Sequence, residues 1–417
     1  MQRMERRVVV TGLGVMAPHA KQPEPLMSAL MEGRSAIALN PVGDAPYTVT
    51  IASGVCRDVD VAPLLGRSRA TALDRISHLG ALAASAAWHD AGLDGMSEAQ
   101  REETAVLMGT AVGGAQSTER GYRDLFIRNR NRLSPLTVVQ CMNNAPAAHI
   151  AQLFGLGGTC FTYSVACSSG AAAIADGARR IQAGECQVVL AGGAEAALPF
   201  GIVKAWLSMQ VLAPAADDAQ AAKACRPFAA DRGGLVLGEG AAVLVLEDRD
   251  HALARGARIY AELAGSGSSC DHGHITAPSA SGQLRALRAA LKEAQASPSD
   301  VGYVNAHGTA TPEGDPVEID ALRQHFGAHA ARLPVSATKS MHGHLMGASG
   351  AIEALITVMA VHKGRIPPTA NTVELDPACV GVDHVLGQGR EAPGLGLALS
   401  NSFAFGGSNV VLAFRRP

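Results

Sequence analysis

Aromatic side chains are scarce in this chain, at 4% of 417 residues, although the apolar share is 47%. A core so poor in rings must be filled by small and aliphatic groups, which suits helices packed closely on sheets. An excess of one charge is also lacking. The formal net charge of −2 argues against general nucleic-acid binding and against strong steering of an acidic ligand. The eight cysteines (56, 141, 160, 167, 186, 225, 270 and 379) include no Cys-x-x-Cys pair, so neither a zinc ribbon nor a thioredoxin-type site is indicated. No uninterrupted apolar run reaches membrane-spanning length, and the basic stretch 1–7 does not resemble a signal peptide. The expectation is a cytoplasmic chain with reduced thiols, no metal and no membrane association.

What is present is alternation of strand-like and helix-like stretches. The length favours two or three domains or one large α/β body. Strands are predicted at 8–15, 104–112, 187–194 and 241–247. The pattern then begins again near Arg258, with strands at 259–265, 301–305, 333–336, 395–402 and 409–415 and a helix at 282–295. A Gly-rich turn is predicted at Gly12 and Gly14. The third glycine of a dinucleotide fingerprint is missing and Pro18 interrupts the following helix, so no cofactor loop is expected there. Segment 117–150 reads as polar and irregular. The halves, 1–257 and 258–417, match in order of elements but show no clear residue-level repeat.

Three loops carry residues suited to covalent chemistry. Cys167 ends a strand-like run from Phe161 and precedes a helical pattern stopped by Gly184, a position where helix-end N–H groups favour thiolate. His307 follows a short strand into a loop of Gly, Thr and Pro. Lys339, His342 and His344 follow another, ahead of a helix containing Glu353. Both imidazole loops are expected to be displayed. Taken singly, a buried cysteine or a loop histidine is more often structural. Reactive groups gather at strand carboxyl ends in open α/β sheets, which makes the combination a stronger signal.

Together, Ala166-Cys167-Ser-Ser-Gly170, His307-Gly-Thr-Ala-Thr311 with Gly314-Asp315, Lys339-Ser-Met with Gly343-His344, and Asn401-Ser-Phe-Ala-Phe405-Gly-Gly-Ser-Asn409 resemble the elongating, Cys–His–His type of β-ketoacyl-acyl-carrier-protein synthase. The resemblance covers essentially the whole chain. It implies a thiolase-like α/β fold, with two pseudo-equivalent halves in five layers (α-β-α-β-α) and mixed sheets. It also implies decarboxylative condensation of a malonyl thioester with an acyl chain on Cys167, elongating it by two carbons.

By the same resemblance, the backbone N–H groups of Cys167 and Phe405 form the oxyanion hole, and His307 and His344 stabilise the enolate. Lys339, with Glu353, holds the histidine loop. Asp315 and Glu318 support the histidine loops, or equally stabilise a loop and a helix start. Thr309 and Thr311 face a phosphopantetheine arm, Phe403 gates acyl entry with Phe405, and Val112 lines the far end of the acyl pocket. The implied partner is acyl carrier protein. No cofactor is expected beyond the phosphopantetheine that carries the substrates. A homodimer is expected, with a heterodimer left open. His342 stands where threonine or serine is usual, and Ala404 where glycine is usual. These departures bear on partner and acyl specificity and keep open a specialised type II polyketide or polyene ketosynthase. A non-catalytic chain-length partner is disfavoured, because Cys167, His307 and His344 are all present.

Overall fold

The computed structural model describes residues 6–417; residues 1–5, part of the basic stretch 1–7, lie outside it. The first half supplies strands β1 (Val8–Met16), β2 (Ala105–Gly109), β3 (Cys160–Tyr163), β4 (Val188–Glu195) and β5 (Gly240–Asp248). The second supplies β6 (Ala261–Cys270), β7 (Tyr303–Asn305), β8 (Pro334–Ser336), β9 (Asp383–His384), β10 (Leu397–Phe403) and β11 (Ser408–Arg415). The main helices are α1 (Arg75–Asp90), α2 (Ala115–Phe126), α3 (Ser169–Ala183), α4 (Ala280–Glu293), α5 (Gly314–Phe326) and α6 (Ser349–Lys363).

Outward from the middle, the first half runs β1-β5-β4-β2-β3 and the second runs β6-β11-β10-β7-β8-β9. The order and directions correspond: β2 is parallel to β3 and β4, as β7 is to β8 and β10, and the inner pairs are antiparallel. Only Val9 opposite Glu262 and Val10 opposite Ala261 join the halves into one hydrogen-bonded sheet. Helix α1 packs on the outer face of the first half and α4 on that of the second, while α3 and α6 lie between. These are the five expected layers. Strands covered on both faces read as continuous apolar runs, and every residue of β1 and β5 is buried.

The glycines of β1 have a packing role. A Cβ on Gly12 would lie 2.3 Å from the Ala87 oxygen, and one on Gly14 would lie 1.9 Å from that of Ala83, so they let α1 sit against the sheet. The strand continues to Met16, which corrects the predicted turn. Gly265 and Gly267 do the same for α4, at 2.5 Å and 2.0 Å from the Ala290 and Ala286 oxygens.

A residue-level repeat also emerges. A one-turn 3-10 helix starts at Ala166 and another at Met346, with φ of 49° and 46°. Each leads into a 15-residue helix, and left-handed Gly184 and Gly364 terminate them. A constant 180 residues separates Ala166 from Met346, Ser169 from Ser349 and Gly184 from Gly364.

The elements not anticipated include a hairpin and a helix. A hairpin, Ile37–Asp44 with Tyr47–Gly54, joins Leu237–Gly238 in a separate small sheet. Helix α2 begins the segment read as irregular. Its buried residues are Ala115, Ser117 and Gly121, too small to write an apolar stripe into the sequence.

Candidate active site

The carboxyl ends of β3, β7, β8 and β10 deliver Cys167, His307, the Lys339–His344 loop and Phe405 to one place. Strands β3 and β8 are equivalents in the two halves, so the cysteine turn and the second histidine loop face each other across the repeat. Ala166 takes a left-handed φ just before the nucleophile, a conformation disfavoured for a residue with a Cβ and sharp enough to turn the next side chain into the site.

His344 Nε2 lies 3.0 Å from Cys167 Sγ. Its Nδ1 accepts the Met346 backbone N–H at 3.2 Å and lies 2.7 Å from Ser349 Oγ. An Nδ1 that accepts a main-chain proton leaves the ring hydrogen on Nε2, directed at the sulfur. Lys339 fixes His307 in the same way. Its ammonium donates to the Glu353 carboxylate, to the His307 carbonyl at 2.6 Å and to His307 Nδ1 at 3.2 Å. Three protons meet three acceptors, so His307 also carries its hydrogen on Nε2. The two rings are 5.4 Å apart and nearly perpendicular, at 85°.

Both rings hold their pKa well below the usual histidine value, first through burial, then through the Lys339 cation, and then through another histidine: His344 for His307, and His342 for His344. They are neutral donors at neutral pH. The expectation of displayed imidazoles is corrected: His307 and His344 are 8% and 2% exposed, because the two halves close over the loops. Burial also pushes the Cys167 thiol up to about 12, against the pull of Lys339 and of the Phe405 N–H aimed at the sulfur. The helix-end preference for thiolate is therefore outweighed by desolvation in the resting site.

Cys167, His307 and His344 have ligand atoms within 4.8 Å of one another, a spacing a cation could bridge. The Nε2–H tautomers turn protons rather than lone pairs toward the sulfur, so the donor set does not fit a metal.

Buried carboxylates tie the loops down. Glu318 accepts the backbone N–H groups of His307 at 2.9 Å and Gly308 at 2.8 Å, and the Asn401 amide at 3.0 Å. Asp315 accepts from the Phe228 and Ala310 N–H groups. Burial raises both carboxyls, Asp315 to about 7. Glu353, raised by burial to about 7 against the Lys339 cation, receives that ammonium in the core.

His342 is fully buried, with Nδ1 2.7 Å from the Gly343 carbonyl and Nε2 3.1 Å from Thr338 Oγ1, and burial lowers it to about 3. It takes no part in the open site. Sequence reasoning gave no role to Ser349, to Glu195 or to Asn401, the last quoted only within a motif. Glu195 clamps the Ala111 and Gly347 N–H groups at 2.6 Å and 3.0 Å. Only the Ser-Gly-Ala shared by 169–171 and 349–351 could have drawn attention to Ser349.

A cavity of about 410 Å³ opens onto Cys167 and both histidines, and Thr309, Thr311, Phe403 and Phe405 also line it. The two threonine hydroxyls are 3.0 Å apart. Phe405 is 37% exposed at the rim and stacks on Trp206 at 6.0 Å. Gly406 and Gly407 follow it at φ of 86° and 74°, values that glycine adopts freely. Val112 is not on this cavity. It packs on the apolar cluster that contains Cys167, together with Leu198 and Phe200.

Residues 5–252 match the family profile described as "Beta-ketoacyl synthase, N-terminal domain", and residues 260–373 match "Beta-ketoacyl synthase, C-terminal domain". The chain belongs to the β-ketoacyl synthase family. It is 40% identical to nodulation protein E of Rhizobium meliloti, over 99% of this chain and 100% of the relative. It is 40% identical to 3-oxoacyl-[acyl-carrier-protein] synthase 2 of Synechocystis sp., over 99% and 98%. The ishigamide ketosynthase/chain length factor superposes with a TM-score of 0.90 at 31% identity, covering 99% of this chain and all of that one. A type II PKS ketosynthase, bound to the hexaketide and solved with its acyl-carrier protein, gives 0.89 at 28% identity and the same coverage.

Proposed function

We propose that this chain is an elongating β-ketoacyl-acyl-carrier-protein synthase, an acyltransferase that condenses a malonyl thioester with an acyl group held on Cys167. The observation that carries the reading is two neutral Nε2–H imidazoles beside one sulfur. In the first half-reaction the Cys167 sulfur attacks the acyl thioester, and its proton leaves with the carrier thiol. The N–H groups of Cys167 and Phe405 hold the oxyanion. In the second, loss of CO₂ from the malonyl group leaves an enolate whose oxygen accepts from His307 and His344. The enolate carbon then attacks acyl-Cys167, the carbon–sulfur bond breaks, the Cys167 thiolate takes up a proton from water, and the β-ketoacyl product departs on the carrier.

The other assignments belong to the same proposal. Lys339 and Glu353 fix the His307 tautomer, while Asp315 and Glu318 hold its loop. Thr309 and Thr311 face the pantetheine arm, Phe403 and Phe405 flank the entrance, and Val112 walls the acyl side. Acyl carrier protein is the partner, and the reaction uses no cofactor or metal. A homodimer would use the edge strand β3 and the exposed apolar residues Tyr122, Phe126, Val138 and Phe161. Among the described residues no helix is long and apolar enough to cross a membrane, which is compatible with action in the cytoplasm.

A ketosynthase of a specialised type II pathway is the second reading, favoured by the likeness to nodulation protein E and to the ishigamide enzyme. Mass spectrometry after incubation with a panel of acyl-carrier-protein thioesters tests both. The expected result is an acyl increment on Cys167, and the preferred chain separates the pathways. Cys167→Ala should abolish condensation, while Cys167→Gln should keep malonyl decarboxylation. Undiminished condensation by Cys167→Ala would sink the assignment.

A further inference from the structure

A second cavity, of about 420 Å³, shares no lining residue with the one at Cys167. The hairpin at Val42, helix α2 and the segment from Leu198 to Phe200 enclose it. Its apolar wall adjoins the packing around the nucleophile: Val42 belongs to the same buried cluster as Cys167, and Leu198, Phe200 and Val112 pack against that cluster.

Its opposite wall is charged and not balanced. Arg75, Arg120, Arg123 and Arg128 line it, against Asp44, Glu119 and Glu239. Arg75 pairs with Glu239, and Arg128 pairs with Asp124 at 2.8 Å. Arg123 lies 3.5 Å from Asp44 and 4.0 Å from Glu119, whose oxygens also accept the Phe200 and Gly201 N–H groups. Arg120 donates to Ser117 Oγ at 2.9 Å and forms no ion pair among the described residues. The nearby Asp124 is taken by Arg128 and by Arg130 at 3.2 Å. Gln116, four residues before Arg120 on the same helix face, adds a carboxamide to the same wall.

We propose that this chamber receives the far end of the acyl chain held on Cys167, and that Arg120, aided by Gln116, recognises a carboxylate there. The preferred acyl donor is then an ω-carboxyl acyl thioester rather than a methyl-terminated one. The proposal rests on the acyl-transfer reading above. Hydrocarbon would run along Val112, Leu198 and Phe200, and the terminal carboxylate would meet an uncompensated guanidinium in a charge-assisted, two-pronged contact. Because Arg120 is exposed, the discrimination is moderate, roughly tenfold.

The test is the rate of Cys167 acylation by carrier-protein thioesters of equal carbon number, octanoyl against the corresponding eight-carbon dicarboxylic half-thioester, with acetyl as the short control. Wild type should favour the carboxyl-terminated chain by roughly tenfold. Arg120→Leu should erase that preference, and Arg120→Lys should retain part of it, with acetyl transfer equal in all three. Arg120 lies outside the catalytic set and at the surface, so its replacement leaves the fold intact. A wild-type preference for octanoyl, or a ratio unmoved by Arg120→Leu, overturns the proposal. Failure of acetyl transfer as well overturns the acyl-transfer reading and this proposal with it.

Discussion

The ammonium of Lys339 illustrates how a buried charge can act without touching a reacting atom. Its three protons go to Glu353 and to two atoms of His307, so it sets which nitrogen of His307 faces the sulfur, and it adds to the burial that keeps both rings uncharged. His307→Ala should therefore lower malonyl decarboxylation by about a hundredfold or more, the usual cost of one oxyanion donor, while acylation of Cys167 persists. Measuring CO₂ release and acyl labelling in the same protein separates the two. His342 gives a pH prediction. Its folded pKa of about 3 lies below the unfolded value of about 6.5. The unfolded chain therefore takes up a proton that the folded one refuses as pH falls from about 6.5 toward 3. Stability from this residue is full above that window and declines within it, by roughly 2 kcal/mol between pH 6.5 and 5. Urea denaturation at pH 7 and pH 5 should show a smaller acid loss for His342→Thr than for wild type; equal losses would remove the claim.

Among the elements, α3 and α6 depend on contact at their first turns. A Cβ on Gly350 would lie 2.8 Å from Ala171 Cβ, and one on Gly170 would lie 2.9 Å from Ala351 Cβ. Gly350→Val should cost about 1–3 kcal/mol and move His344 away from Cys167, lowering the melting temperature and condensation together. An unchanged melting temperature would show that this contact can relax.

The same elements show what the sequence made legible. Cys167, His307, Lys339 and His344 stood out because each follows a strand and precedes small or polar residues. Their burial did not, since it arises when one half closes on the other. Gly12 and Gly14 suggested a turn because close helix approach and a bend both select glycine. Helix α2 escaped because Ala115, Ser117 and Gly121 bury little apolar area. Val112 was placed at the far end of an acyl pocket by resemblance alone, and it packs on the apolar cluster that contains Cys167.

For the whole molecule, the open side of β3 and the apolar surface around α2 are where the proposed homodimer would form. Phe126 is 76% exposed and Val138 72%, unusual for a chain with so few rings. Phe126→Asp should shift sedimentation toward the monomer without lowering the melting temperature of the isolated chain. A wild-type protein that sediments as a monomer would dismiss the homodimer. The 180-residue spacing places Gly347 in the second half where Cys167 stands in the first. No side chain fits there, since a Cβ would lie 2.3 Å from the Ala111 nitrogen, and the Gly347 amide is instead bound by Glu195. One copy of the turn has become the floor beneath the other. The half without a nucleophile leaves no room for a side chain at its own turn, and the single sulfur of the other half is held above it.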